Sequence, residues 1–286
     1  MLQFSIVEQV ILAVFLLSGI TFFLYHLLLR LKIILKGKSD FSVDELPKRI
    51  IRVFDEVILH KKVVSGDRKS AGILHALVMY GFIFFGLITI NHFGMAFGFP
   101  IFSESFRHNY FLIFGAPWAI LCTIGILGLA YRRFVIKPEA LGKFSSTSAL
   151  VSVFIVTLMT TYLIDELHIL SGAAEKFNWW LHSGVIGGFL FLIPQSKHMH
   201  LVLSPFNIFL RPFEVPNHGA IPIDMEASEE ELDNLLLDLS RLSKDQALDI
   251  FTCVECGRCT EVCPANRGGG ILDPVSYTHL RAHETV

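Results

Sequence analysis

The chain has 286 residues, of which 52% are hydrophobic and only 17% charged, with 26 Phe and a formal charge of −2. Soluble domains average about 45–50% apolar and about 25% charged residues, so a purely soluble protein is excluded. The lack of a basic excess removes nucleic acid as a partner, because phosphate binding is largely electrostatic.

Covering about 30 Å of hydrocarbon takes about 20 mostly apolar residues at 1.5 Å each. Runs of this kind predict five spans, at 6–29, 71–97, 110–131, 148–164 and 179–203. The first is too long for the apolar region of a signal peptide and no small-residue cleavage pattern follows it, so it reads as a retained anchor.

Loop charges orient the spans, since Lys and Arg collect on the cytoplasmic side. Between the first two spans lie Arg30, Lys32, Lys36, Lys38, Lys48, Arg49, Arg52, Lys61, Lys62, Arg68 and Lys69, and after the third come Arg132, Arg133, Lys137 and Lys143. The opposite loops hold only Arg107 and Lys176. This places the N-terminus outside an inner (cytoplasmic) membrane and everything after the fifth span in the cytoplasm. Segment 43–62 is amphipathic and is expected at the inner membrane surface.

The two ends of the second and fifth spans carry histidines: His75 and His92 on the second, His182, His198 and His200 on the fifth. An intramembrane ionisable residue is costly and marks function, and imidazoles on facing helices hold haem. Antiparallel spans bring His75 level with His198 or His200, and His92 level with His182, which implies two haem levels. On one continuous helix His182 and His200, eighteen residues apart, would share a face, whereas His198 would not. His75 and His92 lie about 100° apart, so their sharing a face needs a bend, for which Gly81 and Gly86 are candidates.

Asp165, Glu166 and His168 end the fourth span, level with the outer pair, either as a proton relay to quinone or as markers of the membrane boundary. Cys122, inside the third span, reads as a small core residue. Lys197, beside His198, suits a lipid phosphate or a haem propionate.

After the spans, Pro212, Pro216 and Pro222 read as an extended link. Ser228 and Glu231 then form a capping box ahead of an apolar stripe of Leu232, Leu235, Leu236, Leu239 and Leu242. Next come Cys253, Cys256, Cys259 and Cys263, followed by Pro264. The spacing C-x2-C-x2-C-x3-C-P is the bacterial ferredoxin run, in which thiolates bind a cubane 4Fe–4S cluster. Cytoplasmic placement argues against disulfides, and zinc more often takes two separated CxxC pairs. In two-cluster ferredoxins the fourth cysteine serves a second cluster, for which no second run exists here. The triple glycine at 268–270 is no phosphate loop, since no Lys-Ser/Thr follows it.

These residues carry a resemblance. Trp179-Trp-Leu-His182, Pro194-Gln-Ser-Lys-His-Met-His200, Ser204-Pro-Phe-Asn207 and the stretch from Phe251 through Cys263-Pro-Ala265 resemble the membrane-bound iron–sulfur oxidoreductases associated with electron-transfer flavoprotein. That family is related to heterodisulfide reductase, and its membrane part is similar to the cytochrome b, or gamma, subunit of respiratory nitrate reductase.

The resemblance covers roughly 1–274. It implies b-type haem, exchange of electrons with a membrane quinone of the respiratory chain, and a soluble donor such as electron-transfer flavoprotein. Haem ligation carries over to His75, His182 and His200, and more loosely to His92. The family's second cluster run and CCG repeats are missing, so no catalytic residue is assigned. Residues 275–286 resemble a string found on gene predictions that run into adapter sequence. The chain is therefore expected to be C-terminally truncated.

The expected protein is all-α: a five-helix transmembrane cytochrome b-like domain at 1–210, a cytoplasmic linker with an acidic amphipathic helix at 211–250, a partial 4Fe–4S ferredoxin-type module at 251–274 and a non-native tail at 275–286. Its expected function is membrane electron transfer. The rivals are a non-catalytic anchor or electron-relay subunit of a heterodisulfide-reductase-like complex, an anchor whose cysteines bind structural zinc, and a transporter with a histidine-lined proton path.

Overall fold

The computed structural model describes residues 2–38, 41, 43–65, 68–141, 144–213, 228, 242–270 and 272–274. Among these there are helices and turns and no strand. The helices are α1 (Ile6–Ile34), α2 (Leu46–Val53), α3 (Lys61–Val64), α4 (Lys69–Ala96), α5 (Glu104–Tyr110), α6 (Ala116–Tyr131), α7 (Ser146–Glu166), α8 (Ala173–Leu192), α9 (His200–Leu210), α10 (Lys244–Phe251), α11 (Arg258–Val262) and α12 (Pro264–Arg267). A π-helical turn, Phe111–Gly115, joins α5 to α6, and another, Arg132–Ile136, prolongs α6.

Lipid offers backbone N–H and C=O groups no partner, so apolar runs of this length must close their own hydrogen bonds as helices. Among the described residues four segments are long and apolar enough to cross a membrane: Ile6–Ile34, Lys69–Ala96, Glu104–Ile136 and Ser146–Glu166. They cover the first four runs except for Phe97, which caps α4. Their outward faces stay apolar, as at Val10, Val14, Leu17, Ile83, Leu87, Ile120 and Leu127, all exposed.

The expected fifth span is corrected. Instead of one helix over 179–203, α8 stops at Leu192, two 3-10 turns follow (Ile193–Gln195 and Lys197–Met199), and α9 begins at His200. Pro194 causes the break: it has no N–H for the next helical bond, and its ring crowds the preceding turn and residue. Ser196 then adopts an extended backbone and accepts from His198 N–H, which starts the new turn. The one-helix geometry that placed His182 and His200 on a common face therefore does not hold.

The chain forms two compact units, Met1–Phe23 with His60–Leu192, and Leu24–Leu59 with Ile193–Val286. In the first, α4 packs on α6, α6 on α7 and α7 on α8. Small residues set the α4–α6 spacing. A Cβ at Gly125 would lie 2.7 Å from the Leu74 carbonyl oxygen, and one at Gly81 2.8 Å from Cys122 Sγ. Close backbone approach at such positions is how membrane helices gain contact when lipid is as apolar as their side chains. Cys122 is buried in this seam, as expected. Lys176 pairs with Glu8 at 2.7 Å, and Gln9 Nε2 donates to the Ala96 carbonyl at the end of α4 (3.0 Å).

In the second unit Arg49 is 1% exposed. Its guanidinium donates to the carbonyls of Asp44 (2.6 Å), Phe209 (2.7 Å) and Arg211 (3.2 Å). It thus supplies donors, and a positive charge, to the C-terminal end of α9, where helical carbonyls lack partners. The amphipathic segment does turn an apolar face outward, through Leu46, Ile50, Ile51 and Phe54. Helix α10 opens on a reciprocal capping box between Ser243 and Gln246. The expected capped helix after Ser228 and the tail at 275–286 lie outside the described residues.

Candidate functional site

The first unit holds three of the four expected haem histidines. His75 Nδ1 shares a hydrogen bond with His60 Nε2 at 3.0 Å, and the two rings stack 5.2 Å apart. His60 is buried and begins α3 in a left-handed conformation. Lying outside the apolar runs, it gave no signal of this role.

His182 meets Thr161 Oγ1 at 2.7 Å. The Thr157 carbonyl, at 2.6 Å, is the shortest acceptor for that hydroxyl's one proton, and the Leu158 carbonyl also takes a hydrogen bond from His182, so the imidazole donates on this side. His182 therefore carries its proton on Nδ1 and a lone pair on Nε2, the arrangement typical of metal-ligating histidines.

His92 differs. Its Nε2 hydrogen-bonds Ser183 Oγ at 2.9 Å, and its ring stacks on Trp179 at 4.7 Å. The His92 and His182 ring centres are 5.0 Å apart. Two imidazoles on one iron, each with a metal–nitrogen bond of about 2 Å, need about 6 Å between ring centres. In this geometry the pair does not frame an iron.

Both rings line a cavity of about 360 Å³. Its wall is built by Phe85, Ile88, Met159, Trp179 and Ile186, and it is also lined by Glu104, Arg107, Tyr162, Asp165, Glu166 and Glu175. Arg107 Nε lies 3.7 Å from Glu166 Oε1, whose side chain is 9% exposed. Asp165, Glu166 and His168 are thus placed in one cavity with His92 and His182, and Arg107, first read only as a loop charge, joins them.

The second unit holds His200 and the cysteines. His200 Nδ1–H donates to the Lys197 carbonyl at 2.8 Å, leaving the lone pair on Nε2. His198 turns to Ser196 Oγ (3.1 Å). The four cysteines form no disulfide; Cys256 and Cys259 are exposed, Cys253 and Cys263 half-buried. Left-handed residues at Glu255 (φ 51°) and Gly257 (φ 76°) bend their loop before α11.

Burial pushes the Cys253 thiol up from its usual range. A backbone N–H opposes this, and the neighbouring Cys256, Cys259 and Glu255 charges add to it. Among the described residues no three His, Cys, Asp or Glu side chains are grouped to hold a metal ion. The donor chemistry nevertheless fits a cluster: four thiols outside any disulfide lie on one bent loop, three of them near enough to influence one another.

No protein-family model and no solved structure matches the chain. Over 92% of its length it is 32% identical to a Bacillus subtilis (strain 168) protein named "Probable iron-sulfur-binding oxidoreductase FadF". The chain is similar to an iron–sulfur oxidoreductase. It is also 24% identical, over 94% of its length, to a Syntrophomonas wolfei protein named "EtfAB:quinone oxidoreductase". The matches cover 41% and 43% of these relatives, so the chain spans about two-fifths of the length of the curated proteins it matches.

Proposed function

We propose that the chain is the membrane part of an oxidoreductase that passes electrons between a cytoplasmic donor, such as electron-transfer flavoprotein, and membrane quinone. One observation carries this reading: a loop of four cysteines in ferredoxin spacing, none in a disulfide, belongs to a chain with four helices of membrane length among its described residues. The two relatives, one named for iron–sulfur binding and one for EtfAB and quinone, support it.

Cys253, Cys256, Cys259 and Cys263 would hold the 4Fe–4S cluster. His75, His182 and His200 would ligate b-type haem, while His92, with Nε2 on Ser183, matches least well. A cubane cluster and a haem, when bound, carry electrons one at a time. The chain's own residues bind, orient and exclude. Thr161 and the Lys197 carbonyl fix the rings of His182 and His200.

The 360 Å³ cavity lies at the lower end of the ligand-site range of about 300–1,000 Å³ and suits a single ring system. Glu104, Asp165, Glu166 and Glu175 outnumber Arg107 among its charged lining residues, which favours a neutral ligand such as a quinone ring over an anion. Glu166, 3.7 Å from Arg107, would carry a proton between this cavity and water. The orientation proposed is the one read from loop charge, with the N-terminus outside an inner membrane and the cysteines in the cytoplasm.

Metal analysis of the chain purified without oxygen tests the reading. About four iron and four sulfide per chain are expected, falling in the Cys256→Ser and Cys259→Ser variants; zinc without iron or sulfide would overturn it. A relay or anchor subunit of a heterodisulfide-reductase-like complex is the second reading. Quinone reduction by the chain alone with a reduced flavoprotein argues against it.

A further inference from the structure

The turn that carries His200 and the loop that carries the cysteines meet through one lysine. Lys197 Nζ donates to Glu255 Oε2 at 2.7 Å, with side chains only 10% and 17% exposed. Glu255 stands between Cys253 and Cys256 in a left-handed backbone conformation, which a non-glycine residue keeps only where its surroundings fix it. At its other polar end, the Lys197 carbonyl accepts the Nδ1 proton of His200 at 2.8 Å. A single residue thus holds the ring of one proposed ligand and the loop of four others.

A second tie runs beside it. Asn207 Nδ2, in α9, lies 2.8 Å from Asp249 Oδ1 and 2.7 Å from Thr252 Oγ1, and Thr252 directly precedes Cys253. Residues 197 and 255 are far apart in sequence, so their pairing fixes a tertiary register. Buried ion pairs add little net stability but are well suited to fixing register, because only one arrangement satisfies both charges.

We propose that Lys197 is a positioning residue: through its ion pair with Glu255 it sets the distance between the cysteine loop and the His200 turn, and with it the rate at which electrons cross between them. The rate depends on this because electron tunnelling falls exponentially with distance. The proposal rests on the reading of the cysteines as cluster ligands and of His200 as a haem ligand. The ion pair also gives Lys197 a partner other than the lipid phosphate or haem propionate that its sequence position suggested.

The test uses the full chain with Lys197→Met, Glu255→Gln and the charge swap K197E/E255K. Hydrogen exchange at the amides of 252–258, measured on chain stripped of metal, is expected to speed up at least tenfold in both single variants and to recover in the swap. In the loaded protein, haem reduction after addition of a reduced low-potential flavoprotein is expected to slow at least tenfold in the single variants, with iron, sulfide and haem contents unchanged.

Unchanged exchange, or an unchanged rate with both cofactors in place, would overturn the proposal, as would a swap no better than the single variants. If Lys197→Met does not accumulate, Glu255→Gln, which is isosteric, carries both measurements. Wild-type chain without iron or haem would instead count against the parent reading, and the exchange result would still decide whether the tether exists.

Discussion

At Thr161 one hydroxyl helps decide which nitrogen of His182 carries the proton, because the Thr157 carbonyl is the shortest acceptor for its own. Thr161→Val removes one acceptor and leaves the buried N–H with the Leu158 carbonyl alone. Such a loss costs about 1–3 kcal/mol, and losing the partner of a ligating histidine weakens metal binding about 10–100-fold. A lower thermal midpoint in detergent and faster haem loss are expected, with Thr161→Ser close to wild type. Arg49 makes a parallel case. Its three carbonyl partners predict a loss of about 2–4 kcal/mol in Arg49→Ala, read as the same midpoint, with Arg49→Lys between the two, since an ammonium cannot reproduce the guanidinium fork. Neither role was legible in the sequence. Thr161 is one residue of an apolar run and Arg49 one of many inner-surface charges, and their partners are set by tertiary packing that no local pattern reports.

At the scale of elements, apolar run length identified the four membrane-length helices, since in lipid the hydrogen-bond requirement leaves a long apolar run one regular structure. The same reasoning overran at 179–203, where hydropathy continues through Pro194 although the helix does not. The proline was the available signal. Helix α10 also carries one, Ser243 with Gln246 three residues later, a weaker pattern than the leucine stripe before it. The α4–α6 seam makes a prediction of its own: Gly125→Ala places a methyl 2.7 Å from the Leu74 carbonyl oxygen. Overpacking of this kind costs about 1–3 kcal/mol, so the thermal midpoint is expected to fall, whereas Gly86→Ala, with nothing within 4 Å, leaves it unchanged.

For the whole molecule, composition pointed to a membrane and cysteine spacing to a cluster, while the cavity and the Lys197–Glu255 tie emerged only from the fold. Loop charge predicts that, in intact cells, a cysteine placed at Gly98 reacts with an impermeant maleimide while one placed at Lys137 does not; the reverse labelling would invert the proposed orientation. The central claim is that electrons pass through this chain on bound cofactors. It is tested most directly by a reduced-minus-oxidised optical spectrum of the full chain purified from membranes without oxygen. The account predicts b-type haem bands together with bleaching of the broad iron–sulfur absorption, the haem bands weakened in Thr161→Val. A flat difference spectrum from folded, membrane-inserted protein would contradict it.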